Sequence, residues 1–503
     1  MFRLHPNSRI FSSLKKVVII GSGFAGLSAA AFMAKAGWEV KVLEKMDGPG
    51  GRARQLKAEG FTFDMGPSWY WMPDVFERFF NCFGKKTADH YQLERLDPSY
   101  RIYWEDAKMD LPANYTELKK LFESIEPGSG IELDKFIKEA AYKYEVGINK
   151  LVHKPGGSFI EFLNWDIITG VFKLDVFTSM KKHIGKHFQN RRLQQLMEFP
   201  VLFLGALAKD TPALYSLMNY ADIKLGTWYP QGGMYKIVEA IHELAVGLGV
   251  KFFFNDAVTE IKTERGFAKK IITASGAVYD ADVVIGAADY HFIETKLLPE
   301  KNRTYTNKYW SKRAMAPSCL LYYVGINKKL NGVLHHSLFF DVDFEKHGAE
   351  IYTSPGWPTE PLFYVCASSV TDNTVAPEGC ENLFFLVPVA AGLTGDTEEL
   401  RNLYFDKILE RFEKRIGQPV KDSIVYKKSY SVSDFVQDYN SFRGNAYGLA
   451  NTLMQTAVLK PKMRSKKIKN LFYTGQLTVP GPGVPPSLIS GEVVAGQVMK
   501  YFG

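Results

Sequence analysis

Cysteine is scarce in this chain: Cys82, Cys319, Cys366 and Cys380 are the only four among 503 residues. None shows C-x-x-C spacing and the density is far below that of a disulfide scaffold, so a reducing compartment suits the protein. H-E-x-x-H, paired carboxylates and a Ser/His/Asp constellation are also missing, which removes the common hydrolytic and metal-dependent chemistries. No metal ligands are assigned; the adjacent His335 and His336 are expected to be a loop feature rather than a ligand pair. The formal charge of +8 is too modest to point to a partner by itself, and no nucleic acid is expected. Long apolar runs are lacking with one exception. Residues 17–34 are uncharged, the length of a short membrane span, but glycines at cofactor spacing argue against that reading. The first fifteen residues carry Arg3, Arg9 and Lys15 without an apolar core, and are expected to be a short extension, not a signal peptide. A cytoplasmic protein, resting on a membrane at most, is expected.

What is present is 46% hydrophobic residues, enough at this length for a large core and two or three domains. The stretch 16–44 reads KVVIIGSGFAGLSAAAFMAKAGWEVKVLE. Residues 17–20 are apolar and β-branched, the pattern of a parallel strand buried on both faces. Gly21, Gly23 and Gly26 then follow at G-x-G-x-x-G spacing, suited in turn to a tight turn, backbone approach to a pyrophosphate and close helix–strand packing. Phe24 and Ala25 open a helix expected over 24–36, with Gly37 as its stop. A second strand, 39–43, ends at Glu44, an acid placed for a ribose hydroxyl, with Lys45 next to it. The set predicts a dinucleotide site and leaves NAD and FAD equally open.

Gly50-Gly51-Arg52 turns the choice toward FAD: the glycines free the backbone, and the arginine can pair with phosphate oxygens. Trp69, Tyr70 and Trp71 suit core packing or a substrate tunnel equally. Residues 75–220 read mainly as helices, including 115–125 and 133–150. Within 158–192, bulky apolar residues such as Phe159, Trp165 and Phe172 are interleaved with or followed by Lys173, Lys181, Lys182, Lys186, Arg191 and Arg192. This pattern fits a membrane interface, or simply an amphipathic helix pair over the core. Strands at 250–254, 257–263, 270–273 and 281–288 return to the first domain, where the Val258 backbone is either an adenine partner or an ordinary strand residue. Strands at 319–326, 362–367 and 382–389 and a helix at 398–416 form a second unit. Finally, 470–487 reads NLFYTGQLTVPGPGVPPS, a strand and a stiff Gly/Pro loop before a helix at 488–500. Gly475 and Val484 are its candidate cofactor contacts, because a helix amino terminus presents unpaired N–H groups and partial positive charge.

These motifs, together with Gly66-Pro67-Ser68, Trp228–Met234 and Ala446-Tyr447-Gly448-Leu449, run over nearly the whole chain. The chain resembles the bacterial-type phytoene desaturases, carotenoid desaturases of the amine-oxidase-like FAD superfamily. The resemblance implies an α/β fold: a discontinuous Rossmann-like FAD-binding domain (1–75, 228–300, 440–503), an interleaved α+β substrate domain (301–439) and a helical, membrane-facing subdomain (76–227). It implies FAD as cofactor and a phytoene-like C40 polyene as substrate. It further implies quinone or oxygen as electron acceptor and a place at the inner face of the cell membrane. The terminal loop departs from the family pattern, with Gln476, Leu477 and Val479, and with Pro482 between Gly481 and Gly483. Relatives acting on hydroxylated or C30 carotenoids, or isomerising carotenes, share this framework, and another flavin oxidase is the remaining alternative. No catalytic base is assigned.

Overall fold

The computed structural model describes residues 14–158, 174–202 and 205–503. The aromatic run from Phe159 to Phe172, with Lys173, lies outside the described residues, as do Arg3 and Arg9.

The chain's first strand, Lys16–Ile20, becomes the centre of a five-stranded parallel sheet ordered Leu471–Tyr473, Val283–Gly286, Lys16–Ile20, Glu39–Leu43, Lys251–Phe253. A parallel sheet needs cover on both faces, and the period of two supplies it. Val17 and Ile19 face a cluster containing Leu27, Ala30 and Met33 of the helix Phe24–Lys35. Val18 and Ile20 face the opposite way, onto Ile261 and Ile271 of a three-stranded antiparallel sheet, Val258–Glu264, Phe267–Thr273 and Val278–Asp280.

Two further helices, Tyr235–Gly247 and Val484–Phe502, pack against Phe24–Lys35. The second approach is the tighter. A Cβ on Gly491 would lie 2.4 Å from the Ala25 carbonyl oxygen and 2.6 Å from Ser28 Cβ. Ser28 Oγ donates to the Leu488 carbonyl at 2.7 Å, tying the first helix to the last across most of the sequence.

The second unit is a seven-stranded mixed sheet ordered Ile424–Tyr430, Ser318–Ile326, Glu381–Val389, Phe363–Cys366, His336–Phe339, Tyr100–Tyr103, Lys108–Leu111. Alternation again assigns the faces. Tyr322, Val324, Phe385 and Val387 pack under the helix Glu398–Ile416, while Cys319, Leu321, Phe384 and Leu386 face the large core and its cavity. The span 76–227 is not purely helical. It supplies Tyr100–Tyr103 and Lys108–Leu111 to this sheet, and Leu93–Arg95 pairs with Trp228–Pro230. Buried Tyr100, Ile102, Met109 and Leu111 alternate with Arg101 and Asp110, a strand pattern too short to stand out within a helix-rich stretch. His336 likewise begins a strand and is fully buried, which corrects the expectation of a loop.

The glycine contact yields a paired prediction. Gly491→Ala should destabilise the protein by about 1–3 kcal/mol through overpacking, read as a lower denaturation midpoint. Gly496→Ala, five residues on, where an added Cβ meets nothing within 4 Å, should stabilise the protein by about 0.5–1 kcal/mol, read as a higher midpoint.

Candidate active site

A cavity of about 370 Å³ runs from the glycine turn beneath the five-stranded sheet to the inner face of the seven-stranded one. Gly21, at φ +101°, ends the first strand, and its amide donates to the Leu43 carbonyl at 2.8 Å. The helix Phe24–Lys35 begins at Gly23 without a side-chain cap, leaving its positive end at the cavity wall formed by Gly23, Phe24 and Ala25. Gly26 lies behind that wall: an added Cβ would sit 2.1 Å from the Gly21 carbonyl oxygen. Gly23 differs, since an added Cβ would meet no protein atom within 4 Å, although the residue lines the cavity. The Gly50 amide donates to the Ser22 carbonyl at 2.9 Å, bringing Gly50-Gly51-Arg52 alongside the first glycine turn.

Glu44 is buried at the end of the second strand. Its Oε2 accepts from the Ser22 amide at 2.8 Å and hydroxyl at 2.9 Å, and Oε1 accepts from the Met46 amide at 3.0 Å. Lys45 lines the wall beside it and donates from Nζ to the Gln437 carbonyl at 2.7 Å. Val258 lines the same end of the cavity, where its strand pairing shifts register. Arg52 is held by Ser441 Oγ at 3.0 Å and the Asn445 carbonyl at 3.3 Å, over the Tyr439 ring. Burial lowers the pKa of its guanidinium, opposed by the charge of Asp289. Arg52 Nε is buried with no hydrogen-bond partner.

The carboxy terminus supplies the facing wall. Gly475, at φ +104°, donates its amide to Ser490 Oγ at 3.0 Å. Ser490 in turn donates to the Val479 carbonyl at 2.8 Å, pinning the Gly/Pro loop to its helix. That helix begins at Val484, four residues earlier than expected, and Gly483 gives no side-chain cap. Pro485 and Pro486 have no N–H and the Ser487 amide is bonded to the Gly483 carbonyl, so Val484 carries the free donor of this terminus. Of the sequence-predicted set, Gly21, Gly23, Phe24, Ala25, Glu44, Lys45, Gly51, Arg52, Val258, Gly475 and Val484 all line the cavity; Gly26 shapes it from behind.

Beyond the loop the lining changes to Trp69, Trp71, Met72, Met218, Leu321 and Leu386. Trp69 and Trp71 reach the cavity, whereas Tyr70 between them is fully buried against Phe76, its hydroxyl 3.0 Å from that of Tyr91. The polar groups at this end are uncharged. Tyr364 donates to Ser68 Oγ at 3.0 Å, and its hydroxyl lies 2.7 Å from His336 Nδ1. Burial holds His336 well below the usual imidazole range and pushes the Cys319 thiol up to about 12, so neither an imidazolium nor a thiolate forms near neutral pH. The carboxylates on the cavity wall, among the described residues, are Glu44, Asp289 and Asp438. Asp289 accepts from the Phe442 and Phe292 amides, both at 3.1 Å, and Asp438 pairs with Arg54 at 2.7 Å. Asp289, Tyr364 and Tyr439 escaped the sequence reading, because each comes from a distant segment without a motif of its own.

An extended FAD requires donors for a pyrophosphate, an acceptor for a ribose diol and open space above the glycines. The uncapped helix start, Glu44, the empty side of Gly23 and the unpartnered Arg52 Nε match those needs. Gly23→Val is expected to keep the fold, since Gly23 has φ −69° and room for a side chain, yet to lower bound flavin at least tenfold by filling the cradle. Glu44→Ala is expected to weaken FAD affinity roughly tenfold, the scale of one hydrogen bond to a charged group. Flavin released on gel filtration and the apoprotein melting point separate binding from folding; unchanged flavin content in either variant contradicts its assignment.

The flavin-containing amine oxidoreductase family model matches residues 24–499. A carotenoid 3,4-desaturase of Haloarcula japonica is 41% identical over 96% of this chain and 98% of its own. A zeta-carotene-forming phytoene desaturase of Myxococcus xanthus is 31% identical over 97% of this chain and 94% of its own. The crystal structure of a Methanosarcina mazei oxidoreductase superposes with a TM-score of 0.61 at 16% identity, over 96% of this chain and all of that one. The fold, the cradle and these likenesses agree: the chain belongs to the flavin-containing amine oxidoreductase family, on its carotenoid-desaturase branch, and its cofactor is FAD.

Proposed function

We propose that this protein desaturates a C40 carotenoid, with phytoene converted towards lycopene as the reference reaction. The observation that carries the reading is the uncharged far half of the cavity. The cavity's carboxylates lie elsewhere, each engaged by backbone amides or an arginine, and the wall here is mainly aromatic, aliphatic and thioether, with Ser68, Tyr364 and Cys319 as neutral polar groups. An amine substrate would arrive as a cation and need a compensating group there; a polyene needs only shape and dryness.

FAD held by Glu44, Arg52 and the two helix starts would supply the oxidising power for removing a hydride from one carbon of a CH–CH unit and a proton from its neighbour. The residues bind, orient and exclude water. Trp69, Trp71 and Met72 flank the polyene path, and the Ser490-braced loop of Gly475 to Val484 closes it against the cofactor end. Tyr364 and Ser68 are hydroxyls in reach of that path. Quinone or oxygen is the proposed terminal electron acceptor.

A second reading has its own support. The Haloarcula relative, at 41% identity, is a carotenoid 3,4-desaturase, which supports as the alternative substrate a carotenoid with a longer conjugated system than phytoene. We further propose contact with the inner face of the cell membrane, since the polyene is insoluble in water. Phe177 is 81% exposed and Met454 72%, and their loops are joined through Thr178–Ala213 and Tyr215–Thr456 hydrogen bonds. No helix among the described residues is long and apolar enough to cross a membrane.

Product analysis in a host that accumulates phytoene tests the proposal. Phytoene reading predicts more conjugated products; unchanged phytoene, with turnover of a supplied longer chromophore, would favour the 3,4-desaturase reading. Unchanged pools of both would reject desaturation.

A further inference from the structure

The terminal segment just before the last strand carries a feature that the cofactor cavity does not use. Residues 460–469 read KPKMRSKKIK, six cations without an acid. Lys460 is buried and bonded to Asn451 Oδ1 at 2.8 Å, whereas four of the other five, Lys462, Arg464, Lys466 and Lys469, line a second, open cleft together with Gly157 and Tyr501. No acidic residue lines this cleft among the described residues. None of the ion pairs found among the described residues includes Arg464, Lys466, Lys467 or Lys469.

The cations stand on a fixed frame. Arg464 lies over the Tyr501 ring at 4.0 Å and donates from Nε and Nη2 to the Lys469 carbonyl, both at 3.1 Å. The Ser465 amide bonds the Leu471 carbonyl at 3.0 Å, holding the turn against the edge strand of the parallel sheet. Lys462 Nζ reaches the Gly156 carbonyl at 2.6 Å and thereby joins the two sides of the cleft. Lys469 and Lys269 both approach the Phe267 ring, which extends the positive surface sideways. Like charges gathered around one cleft repel one another, and a multivalent anion bound there would relieve that repulsion.

We infer that this cleft binds phosphate-bearing anions, above all the head groups of an acidic lipid surface. The Lys466 and Lys469 ammonium groups, on flexible stems beside an open cleft, suit an array of phosphates better than one enclosed ligand. Gly157 at the cleft precedes by two residues the sequence FIEFLNWDIITGVF, rich in interfacial residue types. The lipid source rests on the membrane contact proposed above; the phosphate chemistry does not.

The test uses the full-length holoprotein in co-sedimentation with phosphatidylcholine vesicles, alone or with phosphatidylglycerol, at low and high salt. Wild type should bind the acidic vesicles at least tenfold more tightly, and high salt should abolish the difference. Lys466→Glu with Lys469→Glu should remove the preference while leaving flavin content and binding to neutral vesicles unchanged. Lys407→Glu with Lys414→Glu, on the distant helix Glu398–Ile416, should leave the preference intact. A preference that survives the first pair overturns the assignment. Equal binding to both vesicles in wild type overturns the lipid source while leaving membrane contact standing; no binding to either rejects membrane contact. Inorganic pyrophosphate decides the chemistry separately: a raised melting point in wild type, absent in the Lys466/Lys469 variant, keeps a phosphate site with a soluble ligand. No pyrophosphate effect together with no preference for acidic vesicles rejects the site.

Discussion

The close packing of the first helix on the last is the contact on which the rest of the site depends. It brings the backbone of Ala25 against Gly491 with no room for a methyl group, and Ser28 bonds the Leu488 carbonyl in the same interface. Because both helices begin at the cavity, this contact sets the distance between the glycine turn and the Gly475–Val484 loop. Neither end of the chain could make the cradle alone. The long excursion between them is anchored at intervals by strands that return to the same parallel sheet, so cofactor and substrate units are interleaved.

The alternation of β-strand side chains then divides the labour. In the parallel sheet it sends Val17 and Ile19 to the helices, and Val18 and Ile20 to the small antiparallel sheet. In the large sheet it gives one face to the helix Glu398–Ile416 and leaves the other as the roof of the cavity. That roof is largely apolar, and the few polar groups it carries are held neutral by burial. Charge is confined to the cofactor end, where Glu44, Arg52 and Asp289 are engaged by local partners. The resulting gradient, polar at one end and dry at the other, is what a flavin facing a polyene requires.

Much of the cofactor end was legible in the sequence because its geometry is local. Glycine spacing, the apolar strand before it and an acid after the second strand are separated by few residues, and each has a single structural purpose. The far end was less legible. Tyr364, Leu386 and Cys319 meet only because three strands pair, and nothing in their immediate neighbours marks them as cavity residues. Tyr100–Tyr103 hid inside a helix-rich stretch for the same reason: its partner, His336–Phe339, lies over two hundred residues away. The last helix began earlier than expected because Pro485 and Pro486, read as loop residues, are well suited to a first helical turn where no intrahelical N–H is needed.

The central claim is that a flavin held between the two ends of the chain oxidises a polyene lodged in the dry half of the cavity. Its most direct test is anaerobic: mix the oxidised holoprotein with polyene-loaded vesicles and follow flavin and polyene absorption together, without any electron acceptor. The account predicts that the flavin bleaches as longer polyene bands appear, one flavin reduced for each double bond formed. New polyene bands over a flavin that stays oxidised would contradict it.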